Sequence, residues 1–263
     1  MLLYRVRGGK VRLRSTLEQM THPLVLRRRL PPPFGAARIH VTTEGGLRYL
    51  RPDIRRVDPI LLGLAEELIG PGDTVWDIGA NLGLFSFAAA VAAGRNGYVL
   101  AIEPDVRLVS LLHRSVTVNY GHAPVEVVPA AVADDLGVSR FNIAMRNRST
   151  NHLDGYGTSQ TGGVRTTHLV PTVTLDWLAE RFPVPDIIKI DVEEAEAKAL
   201  AKSSRVLQAH PKIICEVAEK NFTLVGEILS HYGYTLYDGD QPIRERVPKP
   251  LPSPNTLGIW LPH

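Results

Sequence analysis

Short β-branched runs alternate with longer stretches of helical spacing along most of the chain. Thr74 to Ile78 reads as a strand and Leu84 to Ala93 as a helix. The series continues with Tyr98 to Ile102 as strand, Val106 to Asn119 as helix, Val125 to Val128 and Ile187 to Ile190 as strands, and Glu193 to Leu200 as helix. Ile213 to Val217 follows as strand, Phe222 to Tyr232 as helix, and Thr235 to Tyr237 and Thr256 to Trp260 as closing strands. Alternation of this kind predicts a parallel sheet with helices on both faces. The last two strands are joined by a Pro-rich loop, too short for a parallel crossover, so one strand is expected to run in reverse. The expected fold is a doubly wound α/β domain with a mostly parallel, seven-stranded sheet.

Two regions depart from the pattern. Upstream of Asp73 the chain reads as a small cap: strands at Arg38 to Thr42 and Leu47 to Leu50, then a helix from Pro59 to Ile69, ended by Pro71-Gly72. Between Ala133 and Asp176 the alternation stops. Asp134-Asp135-Leu136-Gly137 reads as a turn, and Asn147 to Gly163, rich in Asn, Ser, Thr and Gly, as an irregular insertion at the ligand-binding end of the sheet. So long a loop in a compact domain is a candidate substrate loop or lid. Pro31-Pro32-Pro33 and the segment from Pro248 to Pro254 exclude helix and central strand and serve as connectors.

Composition narrows the class. The 263 residues, 44% hydrophobic and 22% charged, suffice for one sizeable core. The longest apolar stretch, Leu82 to Ala93, falls well short of the roughly 20 residues of a membrane span, and no secretory signal is evident, so a cytoplasmic enzyme is expected. The single cysteine, Cys215, sits in an apolar run and is expected in the core, which excludes a disulfide framework or a cysteine metal site within the chain.

The net charge of +3 is unevenly spread. Arg5, Arg7, Lys10, Arg12, Arg14, Arg27, Arg28, Arg29, Arg38, Arg48, Arg51, Arg55 and Arg56 make the N-terminal quarter cationic. That segment is either a solvated basic face or an attractor for an anionic or lipid-linked acceptor. Aromatic residues are only 6% and none interleaves with the arginines, so nucleic acid is disfavoured.

The candidate chemistry lies at strand ends. Asp77-Ile78-Gly79-Ala80-Asn81-Leu82-Gly83 runs from a strand straight into a helix, at the switch point where doubly wound folds bind ligands. Gly79 and Gly83 let the backbone turn and approach a ligand, while Asp77 and Asn81 offer polar groups. At the end of the next strand Glu103, followed by Pro104, is placed to accept from both hydroxyls of a ribose. A dinucleotide turn would carry a middle glycine to close on a pyrophosphate. Here Ala80-Asn81 stands in that place, and Asp77 would repel phosphate but suits an ammonium. S-adenosylmethionine has a ribose and an ammonium and no phosphate.

These residues, together with Ile188-Lys189-Ile190-Asp191-Val192-Glu193, resemble the FkbM-type methyltransferases over roughly residues 73 to 238. The resemblance implies the class I methyltransferase fold, S-adenosylmethionine as donor and O-methylation of sugar or natural-product hydroxyls. The chain is thus expected to divide, at Pro71-Gly72, into an N-terminal cap or substrate-side extension, residues 1–72, and a donor-binding domain, residues 73–263. The family commonly reads Asp-Val-Glu-Gly-Ala-Glu where this chain has Asp191-Val192-Glu193-Glu194-Ala195-Glu196.

Asp191 is expected near the transferred methyl. A general base would be Asp191 or Glu193, followed by His152 or His168 from the insertion. The bland alternative makes Glu193, Glu194 and Glu196 first-turn carboxylates stabilised by the helix dipole, with Lys189 paired to one of them. Asp191 and Glu216 could contribute to a divalent-ion site, but no spacing demands a metal and none is expected. Two alternatives stand beside the methyltransferase: a nicotinamide-dependent oxidoreductase, and a non-catalytic nucleoside-binding protein.

Overall fold

The computed structural model describes residues 24–42, 47–51, 53–145, 150–155 and 163–261. Arg5, Arg7, Lys10, Arg12, Arg14 and most of the Asn147–Gly163 loop lie outside the described residues. The described chain starts with a two-stranded antiparallel hairpin, β1 (Leu26–Arg29) and β2 (Arg38–Val41). Leu47–Leu50, expected as a strand, is instead one turn of 3-10 helix. That single turn is enough to bury Tyr49. Helix α1 (Pro59–Leu68) follows, opened by Pro59 and by Asp58, whose carboxylate accepts from the Leu61 N–H at 3.0 Å.

The main sheet contains β3 (Thr74–Ile78), β4 (Tyr98–Ile102), β5 (Val125–Val128), β10 (Ile187–Ile190), β11 (Lys212–Glu216), β12 (Tyr234–Asp238) and β13 (Asn255–Trp260). Their spatial order is β12-β13-β11-β10-β3-β4-β5, and only β13 runs against the rest. This is the expected doubly wound, mostly parallel seven-stranded sheet. Alternate residues feed two cores. Val75, Val99, Ala101, Ile187 and Ile214 pack under α1, α2 (Leu84–Ala93) and α3 (Val106–Val116). Trp76, Ile78, Leu100, Ile188, Ile213 and Cys215 pack beneath α4 (Leu175–Ala179), α5 (Glu196–Leu200), α6 (Ser204–Gln208) and α7 (Phe222–His231). Near-continuous apolar strands are what burial on both faces requires.

The N-terminal hairpin joins the first core. Leu30, Phe34, Ile39 and Val41 pack with α2 and α3, while the His40 N–H donates to Ser115 Oγ at 2.8 Å and Arg38 N–H to Asn119 Oδ1 at 2.8 Å.

The described part of the stretch from Ala133 to Asp176, where the alternation stops, is largely a second sheet. Strands β6 (Ala131–Val132), β7 (Gly137–Ala144), β8 (His152–Leu153) and β9 (Val164–Val173) lie in the order β6-β9-β7-β8. The β-branched content of Val164 to Val173 carried that signal, masked by the polar Thr166, Thr167 and His168 and by Pro171. Phe141, Ile143, Leu153 and Val170 form its own small core with Ala131 and Ala133.

Candidate active site

The ends of β3, β4 and β10 meet the β7–β8 hairpin around a cleft. Gly79, Asn81, Glu103, Pro104, Asn151, His152, Asp191 and Glu193 line it, with an apolar wall from Ile78, Ile102, Ala131, Val132, Phe141 and Leu153.

The glycine turn is held tightly. Gly79 N–H and Ala80 N–H both donate to the Ile102 carbonyl, at 2.9 and 3.0 Å, which fixes the turn against β4. Gly79 has φ +78°, and a Cβ on it would lie 1.9 Å from the Asp191 carbonyl oxygen, so only glycine fits. Asn81 also adopts a left-handed conformation, φ +52°. Its N–H donates to Glu103 Oε2 at 2.8 Å, while its side-chain oxygen is buried and has no hydrogen-bond partner. A buried acceptor without a donor at the wall of a cleft is a vacancy in the hydrogen-bond inventory that a ligand can fill.

Glu103 is 5% exposed and takes a second N–H, from Asp105, at 2.9 Å. Burial pushes its carboxyl up to about 7 in spite of these two backbone donors. The Asp105 carboxylate in turn caps α3 through Arg107 N–H and accepts from Asn151 Nδ2 at 2.8 Å; Asn151 Oδ1 accepts from Ala144 N–H at 2.9 Å. Sequence reasoning missed Asn151, which pins the second sheet to the donor side of the cleft.

Asp77, Ala80 and Gly83 stand behind the lining. Asp77 is fully buried, and its carboxylate accepts from Ser86 Oγ at 2.5 Å and pairs with Lys189 Nζ at 3.2 Å, so the expectation that it faces the ligand directly is corrected. The cause is register: Asp77 and Lys189 are directly opposed on adjacent parallel strands and point to the same face. Lys189 also reaches the Gly79 carbonyl at 2.8 Å and Asp191 Oδ2 at 3.4 Å. Its partner is therefore Asp77 with Asp191, and not one of the glutamates downstream.

Past Asp191 the chain does not enter a helix at once. Glu193 and Glu194 have φ of +47° and +70°, and α5 begins only at Glu196. Neither glutamate is a first-turn helix carboxylate. The left-handed backbone at Glu194 is the conformation a glycine there would adopt freely, which explains the glycine common at this place in the resembling family. The turn is braced by Asn221, whose amide donates to the Glu194 carbonyl at 2.9 Å and to Glu196 Oε2 at 2.6 Å, and by Lys220 paired with Glu194. Burial, then the charges of Asp191, Glu216 and Glu196, push the Glu193 carboxyl up to about 8. Asp191 first, and burial second, push Glu216 up to about 7.

Asp191 and Glu193 also line a second, adjoining cleft with Glu194, Glu196, Glu216, Glu219 and Lys220, a carboxylate-rich mouth beside the first. His152 is 4% exposed, with Nδ1 3.1 Å from the Thr150 carbonyl, at the opposite wall. His168 is exposed on β9 and does not line the cleft.

Residues 77–236 match the family model of the methyltransferase FkbM domain. Among curated proteins, the hexuronic acid methyltransferase AglP of Haloferax volcanii is 28% identical over 184 residues, 69% of this chain and 70% of that protein. Among solved structures, a precorrin-6Y C5,15-methyltransferase from Geobacter metallireducens aligns over 81% of this chain and 92% of its own, at 15% identity and a TM-score of 0.45. A SAM-dependent methyltransferase from Aquifex aeolicus aligns over 82% and 96%, at 15% identity and a TM-score of 0.43. Among the described residues, no helix is long and apolar enough to cross a membrane.

Proposed function

The chain belongs to the methyltransferase FkbM domain family and is a methyltransferase, and on that premise we propose that it moves a methyl group from S-adenosylmethionine to a sugar hydroxyl. One observation carries this reading: the unpartnered Asn81 amide oxygen and the Glu103 carboxylate line the same cleft as Asp191 and Glu193.

The residues suit the donor. A glycine turn that admits no Cβ, an orphaned acceptor beside it and a buried carboxylate one strand away match an amino-acid end and a ribose. Gly79 and Asn81 would hold the amino-acid end and Glu103 the ribose hydroxyls. Pro104, Ala131, Val132, Phe141 and Leu153 would flank the base. Asp77, Ala80 and Gly83 shape the turn from behind. When bound, the donor supplies a sulfonium-activated methyl group.

The chain's own contribution is alignment and a proton acceptor. Holding an acceptor oxygen in line contributes about 7 to 11 kcal/mol, and removing its proton roughly 10²- to 10⁴-fold. Glu193 is the best placed base, because burial and neighbouring carboxylates set its proton affinity near the working pH, where a general base is most effective. Asp191 accepts a hydrogen bond from the acceptor, and His152 closes the opposite wall.

A sugar acceptor fits the carboxylate-lined mouth, which takes hydroxyl hydrogens from a polyol, and it fits the relative whose name specifies a hexuronic acid. Any anionic or lipid-linked part of the acceptor is a partner for the cationic N-terminal quarter of the chain. Family membership goes against the nicotinamide oxidoreductase.

Titration calorimetry with S-adenosylhomocysteine, followed by radiolabelled methyl transfer to a panel of hexosides, hexuronides and polyketide alcohols, tests the reading. Donor-product binding and label on an acceptor oxygen are expected. Label on nitrogen or carbon would overturn the O-methylation reading, and absence of binding by the intact protein would overturn the donor assignment.

A further inference from the structure

Lys189 is 5% exposed, and it stands in the middle of the site rather than on its wall. An ammonium has three N–H donors, and here three oxygens surround it: Gly79 O at 2.8 Å, Asp77 Oδ1 at 3.2 Å and Asp191 Oδ2 at 3.4 Å. These oxygens belong to three different parts of the machinery: the end of β3, the glycine turn, and the end of β10 beside the acidic mouth. The ammonium thus hydrogen-bonds the glycine turn and pairs with the carboxylates at the ends of β3 and β10 at once.

We infer that Lys189 is the positioning residue of this site, tying the carbonyl of the donor turn to the carboxylate at the reacting end so that the two keep a fixed separation. The inference rests on the donor reading given above. Gly79 cannot be displaced toward Asp191, since their backbones are already in contact; its N–H is held by Ile102 and its carbonyl by Lys189. A methyl donor seated on the turn is thereby held at one distance from Asp191 and Glu193.

The charge matters as well as the geometry. Burial disfavours the Lys189 ammonium, but Asp77 and Asp191 outweigh it and hold its pKa above the usual lysine value. The groups around it are Asp77 on β3, Asp191 after β10, Glu216 on β11, Glu103 after β4 and Tyr49 in the 3-10 turn. Its positive charge lowers the pKa of both Glu103 and Glu216. Removing it should leave Glu103 protonated to higher pH, when it can no longer accept from both ribose hydroxyls. Arginine would keep the charge, but a planar guanidinium cannot direct three donors to the same three oxygens.

The test is S-adenosylhomocysteine affinity as a function of pH, by titration calorimetry, with folding checked by thermal melting. Lys189→Met strands the buried Asp77 charge and is expected to destabilise the fold, so Asp77→Asn/Lys189→Met removes both charges together. This double variant is expected to bind roughly tenfold or more weakly and to show its affinity rise at higher pH than the wild type. Lys189→Arg is expected to bind more weakly while keeping the wild-type pH midpoint. Wild-type affinity in Lys189→Arg, or weaker binding by the double variant with an unmoved midpoint, would overturn the inference and leave Lys189 a packing residue. A wild-type protein that binds no S-adenosylhomocysteine at any pH would overturn the donor reading instead.

Discussion

Gly79 and Asp191 meet backbone to backbone: a Cβ on Gly79 would lie 1.9 Å from the Asp191 carbonyl oxygen and 3.0 Å from its carbonyl carbon. Neither partner can yield, because Gly79 N–H is bonded to Ile102 and Asp191 N–H to Ile78. Gly79→Ala is therefore expected to cost roughly 3 kcal/mol or more, from left-handed strain and from forcing β3 and β10 apart. Gly72, also at positive φ but with open space around it, is the control: Gly72→Ala should cost about 1 to 2 kcal/mol. Urea unfolding of both variants gives the comparison, and equal losses would show that strain alone, without the contact, governs Gly79.

Glu194 holds a left-handed backbone at φ +70° with a side chain paired to Lys220. Glu194→Gly removes the strain and the ion pair together, whereas Glu194→Ala removes only the pair. A partly exposed pair contributes about 0 to 1 kcal/mol, and left-handed strain costs about 1 to 2 kcal/mol. The glycine variant should therefore be the more stable of the two by about 1 kcal/mol, read from denaturant midpoints. An alanine variant as stable as the glycine one would mean that the turn relaxes out of the left-handed region.

The Asn151 side chain joins the Asp105 carboxylate to the Ala144 N–H, so it fastens the β7–β8 hairpin to the start of α3. Asn151→Ala leaves the buried Ala144 N–H without its acceptor and removes the Asn151 donor to Asp105, at about 1 to 3 kcal/mol. Because Phe141 and Leu153 form the adjoining wall, S-adenosylhomocysteine affinity should fall along with stability. A loss of stability with unchanged affinity would detach this hairpin from the donor side of the cleft.

The main sheet was legible in the sequence because each strand is buried on both faces, as in Val75-Trp76 and Ile187-Ile188, and a buried strand leaves an apolar run. The second sheet was not. Its strands cover only their own small core, so Arg140, Asn142, Thr166 and His168 interrupt the apolar pattern and the segment reads as loop. Within the site, Glu103, Asp191 and Glu193 could be found from their places at strand ends. The inward turn of Asp77 toward Lys189 could not, since it depends on the pairing of β3 with β10 across more than a hundred residues of chain, and no local pattern reports a register.

Glu193 links the stability of the fold to pH. Its carboxyl is raised to about 8, by burial first and by the charges of Asp191, Glu216 and Glu196 after it. The folded protein thus binds this proton more tightly than the unfolded chain, where a glutamate releases it near about 4.3. The stabilising contribution is complete below the unfolded pKa, declines as the unfolded chain ionises, and is lost once pH passes about 8. Glu193→Gln cannot ionise, so it should match the wild type near pH ~4 and exceed it by on the order of 2 kcal/mol above pH ~8; the carboxyl keeps some contact with water, and the full shift overstates the gain. Methyl transfer should move the opposite way, falling roughly 10²- to 10⁴-fold in the variant and losing the rise in rate near pH 8 that the wild type shows as Glu193 gives up its proton. Denaturation at several pH values, paired with the rate profile, separates the two effects. A variant that gains stability above pH ~8 yet keeps its rate would place the base elsewhere, at Asp191 or His152.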